Sequence, residues 1–232
     1  MKKIAINFVY LIIFIFSFST IYLFFIFNPN NYKDKIIDYV SSKTKYEFIY
    51  NGDIEVNFLP ETKISIPNIE IYKESSSGSK NVMISILQTE LVISLDKLID
   101  NIIDVKDIMA KNFEYHGINA DAVLLKTYSL SKLSLYDDIH PDITNIKNMS
   151  ARANIDNNIM NVNNIYIETE MMEARGSGTV NILTKVADIR MTGSIKELNN
   201  ITDSYQKVYP NELNGEELPI IIFGELNNLS VS

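Results

Sequence analysis

The sequence predicts a mainly β (α+β) protein: an antiparallel or coiled sheet with short helices, preceded by one N-terminal transmembrane helix. Three observations carry this expectation. An uncharged apolar run stands near the N-terminus. From Tyr46 onward, apolar and polar residues alternate with a period of two in short runs separated by turn residues. The strands follow one another without the intervening long helices that βαβ units require.

The apolar run comes first. From Ile4 to Phe27 the chain reads IAINFVYLIIFIFSFSTIYLFFIF, without charge or proline. About 24 residues at about 1.5 Å rise span roughly 36 Å, enough for a hydrocarbon core of about 30 Å. Lys2 and Lys3 precede the run and favour a cytoplasmic N-terminus. A cleaved signal peptide has a shorter apolar stretch and a small-x-small site. Here Phe24-Phe25-Ile26-Phe27 passes directly into Asn28-Pro29, so a retained anchor is expected.

Of the 232 residues, about 200 remain beyond this anchor, enough for one large β domain or two small ones. The chain carries −8 overall, and setting Lys2 and Lys3 aside leaves 19 basic against 29 acidic residues, or −10. Such a balance repels nucleic acid and anionic headgroups. The chain has no cysteine, which excludes disulfides, thiolate metal sites and cysteine nucleophiles.

Pro29 to Lys45 reads as an amphipathic helix, with Tyr32, Ile36, Ile37 and Val40 on one stripe and Pro29 at its first turn. Asn51-Gly52 signals a hairpin turn before the alternation of Ile54, Val56 and Phe58. Ile64 and Ile66 continue it, then Ile69 and Ile71 shift phase across Pro67, which marks an edge, bulge or break. Ser75 to Ser79 reads as an exposed loop. Val82, Ile84 and Ile86 alternate, and after a phase shift near Gln88 so do Leu91, Ile93 and Leu95. Asp96 to Ile103 reads as one or two helical turns, and strand signal resumes from Val105 to Tyr115, closed by Gly117.

Thr127 to Pro141 shows the weakest pattern and is expected to be a connection. Met149 to Ile155, Met160 to Ile167, Gly176 to Ile182 and Ile189 to Met191 are the next strand signals, with Asp156-Asn157-Asn158 as a turn. Lys196 to Tyr209 reads as polar and helical. Leu218 to Gly224 is strongly apolar.

Several stretches resemble the AsmA family. NGDIEVNFLPETKISIPNIEIY (Asn51 to Tyr72), behind an anchor and an amphipathic helix, resembles the opening of its periplasmic part. TELVISLDKLIDNIIDVKDIMAKN (Thr89 to Asn112) is similar to the strand, short helix and strand that follow there. Ala151 to Ile195, with its G-x-G strand, and the tail LPIIIFGELNNLSVS (Leu218 to Ser232) resemble the family's C-terminal region. Asn157-Asn158 stands where the family has an asparagine-glycine turn, and the family's extended middle is missing between about Gly117 and Ile143.

The resemblance implies four parts: residues 1–28 as cytoplasmic tip and anchor, 29–117 as an AsmA-like N-terminal β module, 118–143 as a connection, and 144–232 as an AsmA-like C-terminal β module. It implies a bacterial inner-membrane protein with its C-terminal domain in the periplasm, acting in outer-membrane biogenesis. It further implies a curved antiparallel sheet or groove whose apolar face carries phospholipid, with other envelope proteins as partners. The candidate lining is Ile54, Val56, Phe58, Ile64, Ile66, Ile84, Ile86, Leu91, Ile93 and Leu95. Those residues would equally form the dry core of a closed sandwich. The alternative function is a scaffold that carries no lipid and pairs with partners through its sheet edges, or a relay subunit of lipopolysaccharide export.

No catalytic residue, metal site or cofactor is expected, and the chain does not read as an enzyme. His140 lies among Asp137, Asp138 and Asp142, but in no defined ligand spacing; His116 is far from it in sequence. Ser129-Leu130-Ser131-Lys132 and Ser77-Gly78-Ser79-Lys80 match S-x-x-K without the companion motifs of acylating enzymes. Gly176-Ser177-Gly178 lacks the third glycine of a nucleotide loop and reads as close approach within a strand.

Overall fold

The computed structural model describes residues 28–44, 46–58, 60–74, 79–94, 103–132, 141–201, 203–206, 209–225 and 228–231. The expected anchor from Ile4 to Phe27 lies outside the described residues, as do Ser75 to Gly78, Leu95 and, of the helical turns expected from Asp96 to Ile103, all but Ile103, which begins a strand. Among the described residues no helix is long and apolar enough to cross a membrane.

Pro29–Tyr32 forms a 3-10 turn, whose N-cap Asn28 accepts a hydrogen bond from the Asn30 amide at 2.9 Å. It leads into α1 (Lys33–Thr44). The strands are β1 (Glu47–Tyr50), β2 (Glu55–Asn57), β3 (Thr62–Glu74), β4 (Lys80–Ser94) and β5 (Ile103–His116), then β6 (Ile143–Asp156), β7 (Ile159–Glu168), β8 (Met172–Asn181), β9 (Val186–Ile195), β10 (Glu217–Glu225) and β11 (Asn228–Val231). Between β5 and β6 stands α2 (Ala120–Ser131), and a short α3 (Asp203–Gln206) precedes β10.

All these strands belong to one 11-stranded sheet, ordered β1-β3-β4-β5-β6-β7-β8-β9-β10-β11, with β2 paired to β3 beside β1. Every pairing between these strands is antiparallel, and among the described residues the two ends of the order do not pair. The sheet is therefore a single open layer. β5 pairs directly with β6, so the N-terminal and C-terminal modules share one sheet across the connection.

Two sequence expectations need correction. Asn51-Gly52 does not close a hairpin: β1 pairs with Ile69–Tyr72 and β2 with Lys63–Ser65, one after the other along β3. Gly52, at φ +114°, kinks the chain against Pro67 instead of reversing it. The stretch from Lys196 to Tyr209 is not one helix but short turns, because Ile201, Tyr205 and Tyr209 each dock separately into a cluster at the sheet's end.

The phase shifts in the sequence have a physical cause. Asn68, Asn112 and Asn164 sit inside β3, β5 and β7 with φ between 46° and 51°. Asparagine tolerates this left-handed region better than any residue but glycine. Register shifts also interrupt the ladders at Val92/Ile93, Val105/Ile108, Ser150/Arg152 and Val162/Ile165. Such bulges bend long strands and tighten their twist, so the same face stays apolar while the sheet curls.

Candidate functional site

In an antiparallel sheet, directly paired residues project to the same face. One such row runs Thr62, Ile93, Val105, Ala153, Val162, Gly178, Ile189 and Ile222, from β3 to β10. A second runs Ile66, Thr89, Ala110, Met149, Ile167, Ala174, Gly193 and Leu218 across the same strands. The intervening row, on the other face, reads Ser65, Glu90, Met109, Ser150, Tyr166, Arg175, Thr192 and Pro219. One face is a continuous apolar strip perpendicular to the strands. The opposite face is largely polar.

Burial separates an open strip from a sandwich core. On the apolar face only Thr62, Thr89, Ala110, Ala151, Ala153, Ala174, Ala187 and a few larger groups are fully covered. Ile93, Val105, Ile108, Met149, Val162, Ile167, Ile189 and Ile222 are half-buried. The large side chains of a sandwich interior would be sealed by a second sheet. Here small residues are covered and large ones stand partly free.

Glycine lets β8 and β9 approach closely. A Cβ at Gly176 would lie 2.1 Å from the Arg190 carbonyl oxygen, and at Gly178 2.4 Å from that of Asp188. The close approach expected at this G-x-G is present.

The expected lining residues fall as follows. Val56, Phe58, Ile64, Ile66, Ile84, Ile86, Leu91 and Ile93 are half-buried, Ile54 is buried, and Leu95 lies outside the described residues. Ile64, Ile66, Ile86 and Val56 pack with Tyr50, Ile54 and Ile69, and Ile37 of α1 covers them. Leu91 and Ile93 pair across the ladder with Ile108 and Val105 and belong to no buried cluster. Farther along, Ala151, Ile165, Ala174 and Met191 form a second cluster with Val162, Ile189 and Ile222 beside it.

Both edges are blunted. At the first, the Asn30 side chain accepts from the Ile54 amide at 2.7 Å and donates to the Ile54 carbonyl at 3.2 Å, copying a strand's pairing. Ser41 of α1 accepts from the Phe48 amide of β1 at 3.1 Å. At the other, β11 covers only Ile222–Glu225 of β10, and the exposed remainder contains Pro219, which has no amide hydrogen.

A cap closes one row of strand ends. Leu125 of α2 packs with Met171 and Ile195 of the strand ends and with Ile201, Tyr205, Tyr209 and Leu213. Asn119 caps α2 at the Ala122 amide (3.0 Å) and donates to Tyr205 (3.1 Å) and the Pro141 carbonyl (3.1 Å). Asp121, 2 % exposed, accepts from the Thr169 hydroxyl at 2.7 Å and the Glu170 amide at 3.2 Å. Burial pushes its carboxyl above its usual range, against the lowering effect of those hydrogen bonds. Lys196 donates to Glu168 and to the Thr169 carbonyl, both at 2.8 Å, and with Asn148 it holds the Glu168 carboxyl below its usual range.

The expected connection hides this cap: α2 and Asp121 were not anticipated. The signal was an asparagine before an ADAVLL run, an N-cap in front of an apolar stripe.

The other residues weighed in the sequence come to little here. His140, Asp137 and Asp138 lie outside the described residues, and His116 Nε2 sits 3.4 Å from Glu114. Ser129 and Lys132 end α2, with the Lys132 amine over the Tyr128 ring at 5.6 Å. A cavity of about 580 Å³ opens where the bulges of β5 and β7 flank Arg152 of β6. Its lining of Glu61, Lys106, Asp107, Arg152 and Asn163 is charged and polar, and Lys106 pairs with Glu61 at 3.2 Å.

A large antiparallel sheet with blunted edges, few helices and a capped row of strand ends defines the class of this protein. The AsmA family model matches residues 1–116, ending on the last residue of β5, and the chain belongs to the AsmA family. No curated protein matches it. Membership supports a general role in the cell envelope and outer-membrane biogenesis.

Proposed function

We propose that this protein handles phospholipid in the bacterial envelope, holding acyl chains along the apolar face of its sheet. The carrying observation is the strip from Thr62 to Ile222, apolar or small at every position and half-open in its large residues. The eight strands from β3 to β10 leave seven gaps of about 4.8 Å, a strip, here read as a trough, roughly 34 Å long. One leaflet of hydrocarbon is about 15 Å thick, so two tails fit end to end. Each CH₂ buried there contributes about 0.8 kcal/mol.

In this reading, Ile4 to Phe27 anchors the chain in the inner membrane with its N-terminus cytoplasmic, and the sheet lies in the periplasm. The protein is no enzyme and works beside other envelope proteins, since one strip of this length spans no more than a bilayer. The scaffold alternative needs free sheet edges, and Asn30, Ser41 and Pro219 count against it. The test is native mass spectrometry of the detergent-extracted chain, with photocrosslinkers at Val56 and Ile93. Bound phospholipid crosslinked through its acyl chains is expected. Lipid-free protein with no acyl crosslink overturns the reading.

A further inference from the structure

We propose that the tips of the β6–β7 and β8–β9 hairpins form a rim that seats the trough on the surface of a lipid bilayer. This rests on the trough reading above and adds the place where the trough meets membrane. Ile182 and Leu183, 43 % and 73 % exposed, stand at the strand ends opposite the cap, beside Ile159, 42 % exposed, which pairs with Asn181 on the face opposite the strip. Turn tips ordinarily carry glycine, asparagine or aspartate. Asn157-Asn158 obeys that rule, with both residues at positive φ. The next tip breaks it by placing isoleucine and leucine at the apex.

The display is rigid. Asn181 Oδ1 accepts from the Leu183 amide at 3.0 Å and the Thr184 amide at 2.9 Å, and the Ile182 amide donates to the Asn158 carbonyl at 2.8 Å. The backbone hydrogen bonds thus join the two tips and hold Leu183 outward.

Charge and chemistry point to lipid as the occupant. The capped side of the sheet carries exposed Glu197, Glu212, Glu216 and Glu217 against exposed Lys126 of α2 and Lys132 at its end. Asn157, Asn158, Asn181 and Thr184 at the tips are uncharged, and Asp156 and Lys185 flank them with opposite signs. An anionic surface therefore disfavours the more acidic capped side, and on a zwitterionic one the exposed aliphatic side chains make the tips the side that approaches. Protein interfaces are enriched in aromatic residues and arginine, whereas this patch is aliphatic alone. Behind it, the paired residues Met160, Val180 and Ala187 bring the trough's apolar lining to the rim, so the bilayer interior and the strip would be continuous.

The absence of cysteine makes the test direct. Leu183→Cys in the full chain gives a unique thiol for an environment-sensitive fluorophore, and Asn211→Cys on the capped side gives the control. After reconstitution with phosphatidylethanolamine and phosphatidylcholine vesicles, the label at 183 is expected to shift to the blue. Nitroxide groups on the acyl chains should quench it, and the label at 211 should show neither effect. A water-like label at 183, or a blue shift that persists without vesicles and so reports a protein contact, overturns the proposal.

The double variant Ile182→Asn with Leu183→Asn, labelled at Ile159→Cys, provides a second measurement. Loss of nitroxide quenching with unchanged co-purifying phospholipid supports the rim. Unchanged quenching overturns it. If the wild-type chain carries no phospholipid yet the label at 183 enters the bilayer, the trough reading fails and the rim stands.

Discussion

Val162→Asp tests the trough at its centre. Val162 pairs with Ala153 on one side and Gly178 on the other, midway along the strip. It is half-buried, so a carboxylate placed there keeps part of its hydration and the sheet survives with a loss of about 1 kcal/mol. An acyl chain crossing this row loses the valine methyls, at about 0.8 kcal/mol per group, and must lie against a charge. A penalty of about 1.5–3 kcal/mol lowers lipid occupancy by about ten- to a hundredfold. Ser177→Asp is the matched control, exposed on the opposite face and paired with Arg190. The assay is phospholipid per protein after extraction of the purified full chain, alongside thermal melting. Normal lipid content in Val162→Asp, or equal loss in Ser177→Asp, refutes the assignment of this face.

Three further outcomes follow from the geometry. Burial holds the Asp121 carboxyl above its ordinary value of 3.8, so its contribution to stability is full below that pH and declines as pH rises through the folded value. In urea titrations Asp121→Asn should remove this decline, whereas Asp121→Ala should cost about 2–4 kcal/mol by stranding the Thr169 hydroxyl and two amides. Gly178→Val places carbon 2.4 Å from the Asp188 oxygen and should cost about 3 kcal/mol or prevent folding, read by thermal melting. Asn30→Ala combined with Pro219→Thr unseals both sheet edges and should produce concentration-dependent association in sedimentation velocity.

The period-two signal made the strands and their apolar face legible because one face packs and the other is hydrated. Even the interruptions were readable: Pro67 and the slip near Gln88 marked where the pattern changes phase. The asparagines that accommodate the bends were not read as such, because Asn68, Asn112 and Asn164 are polar residues in polar positions and their backbone angle leaves no composition signal. Asn51-Gly52 misled for a related reason. Its glycine does take positive φ, yet β3 is long enough to pair with both flanking segments, and tertiary pairing overrode the local hairpin preference. The cap stayed hidden because its residues come from distant segments. Asp121 meets Thr169 across 48 positions, and Asn119 meets Tyr205 across 86.

A single-layer sheet with an apolar face poses a thermodynamic question that the trough reading answers. One cluster packs Tyr50, Ile54 and Ile69 with Ile37 of α1 at the sheet's first edge, and another, around Leu125 and Met171, caps one row of strand ends. Elsewhere on the face Leu91, Ile93, Val105 and Ile108 are half-buried and stand in none of the buried clusters of the described residues. Water against that surface is unfavourable, and a bound tail removes it only in the folded state. Stability should therefore be linked to lipid, rising by about 2.7 kcal/mol at a free concentration a hundred times the dissociation constant. Delipidating the full chain should lower its melting temperature, and adding phospholipid back should restore it in proportion to occupancy. Val162→Asp should blunt the response, while Gly178→Val should lower the baseline whether or not lipid is present. A melting temperature indifferent to lipid would mean the strip's stability comes from the floor of small residues alone, and that nothing occupies it.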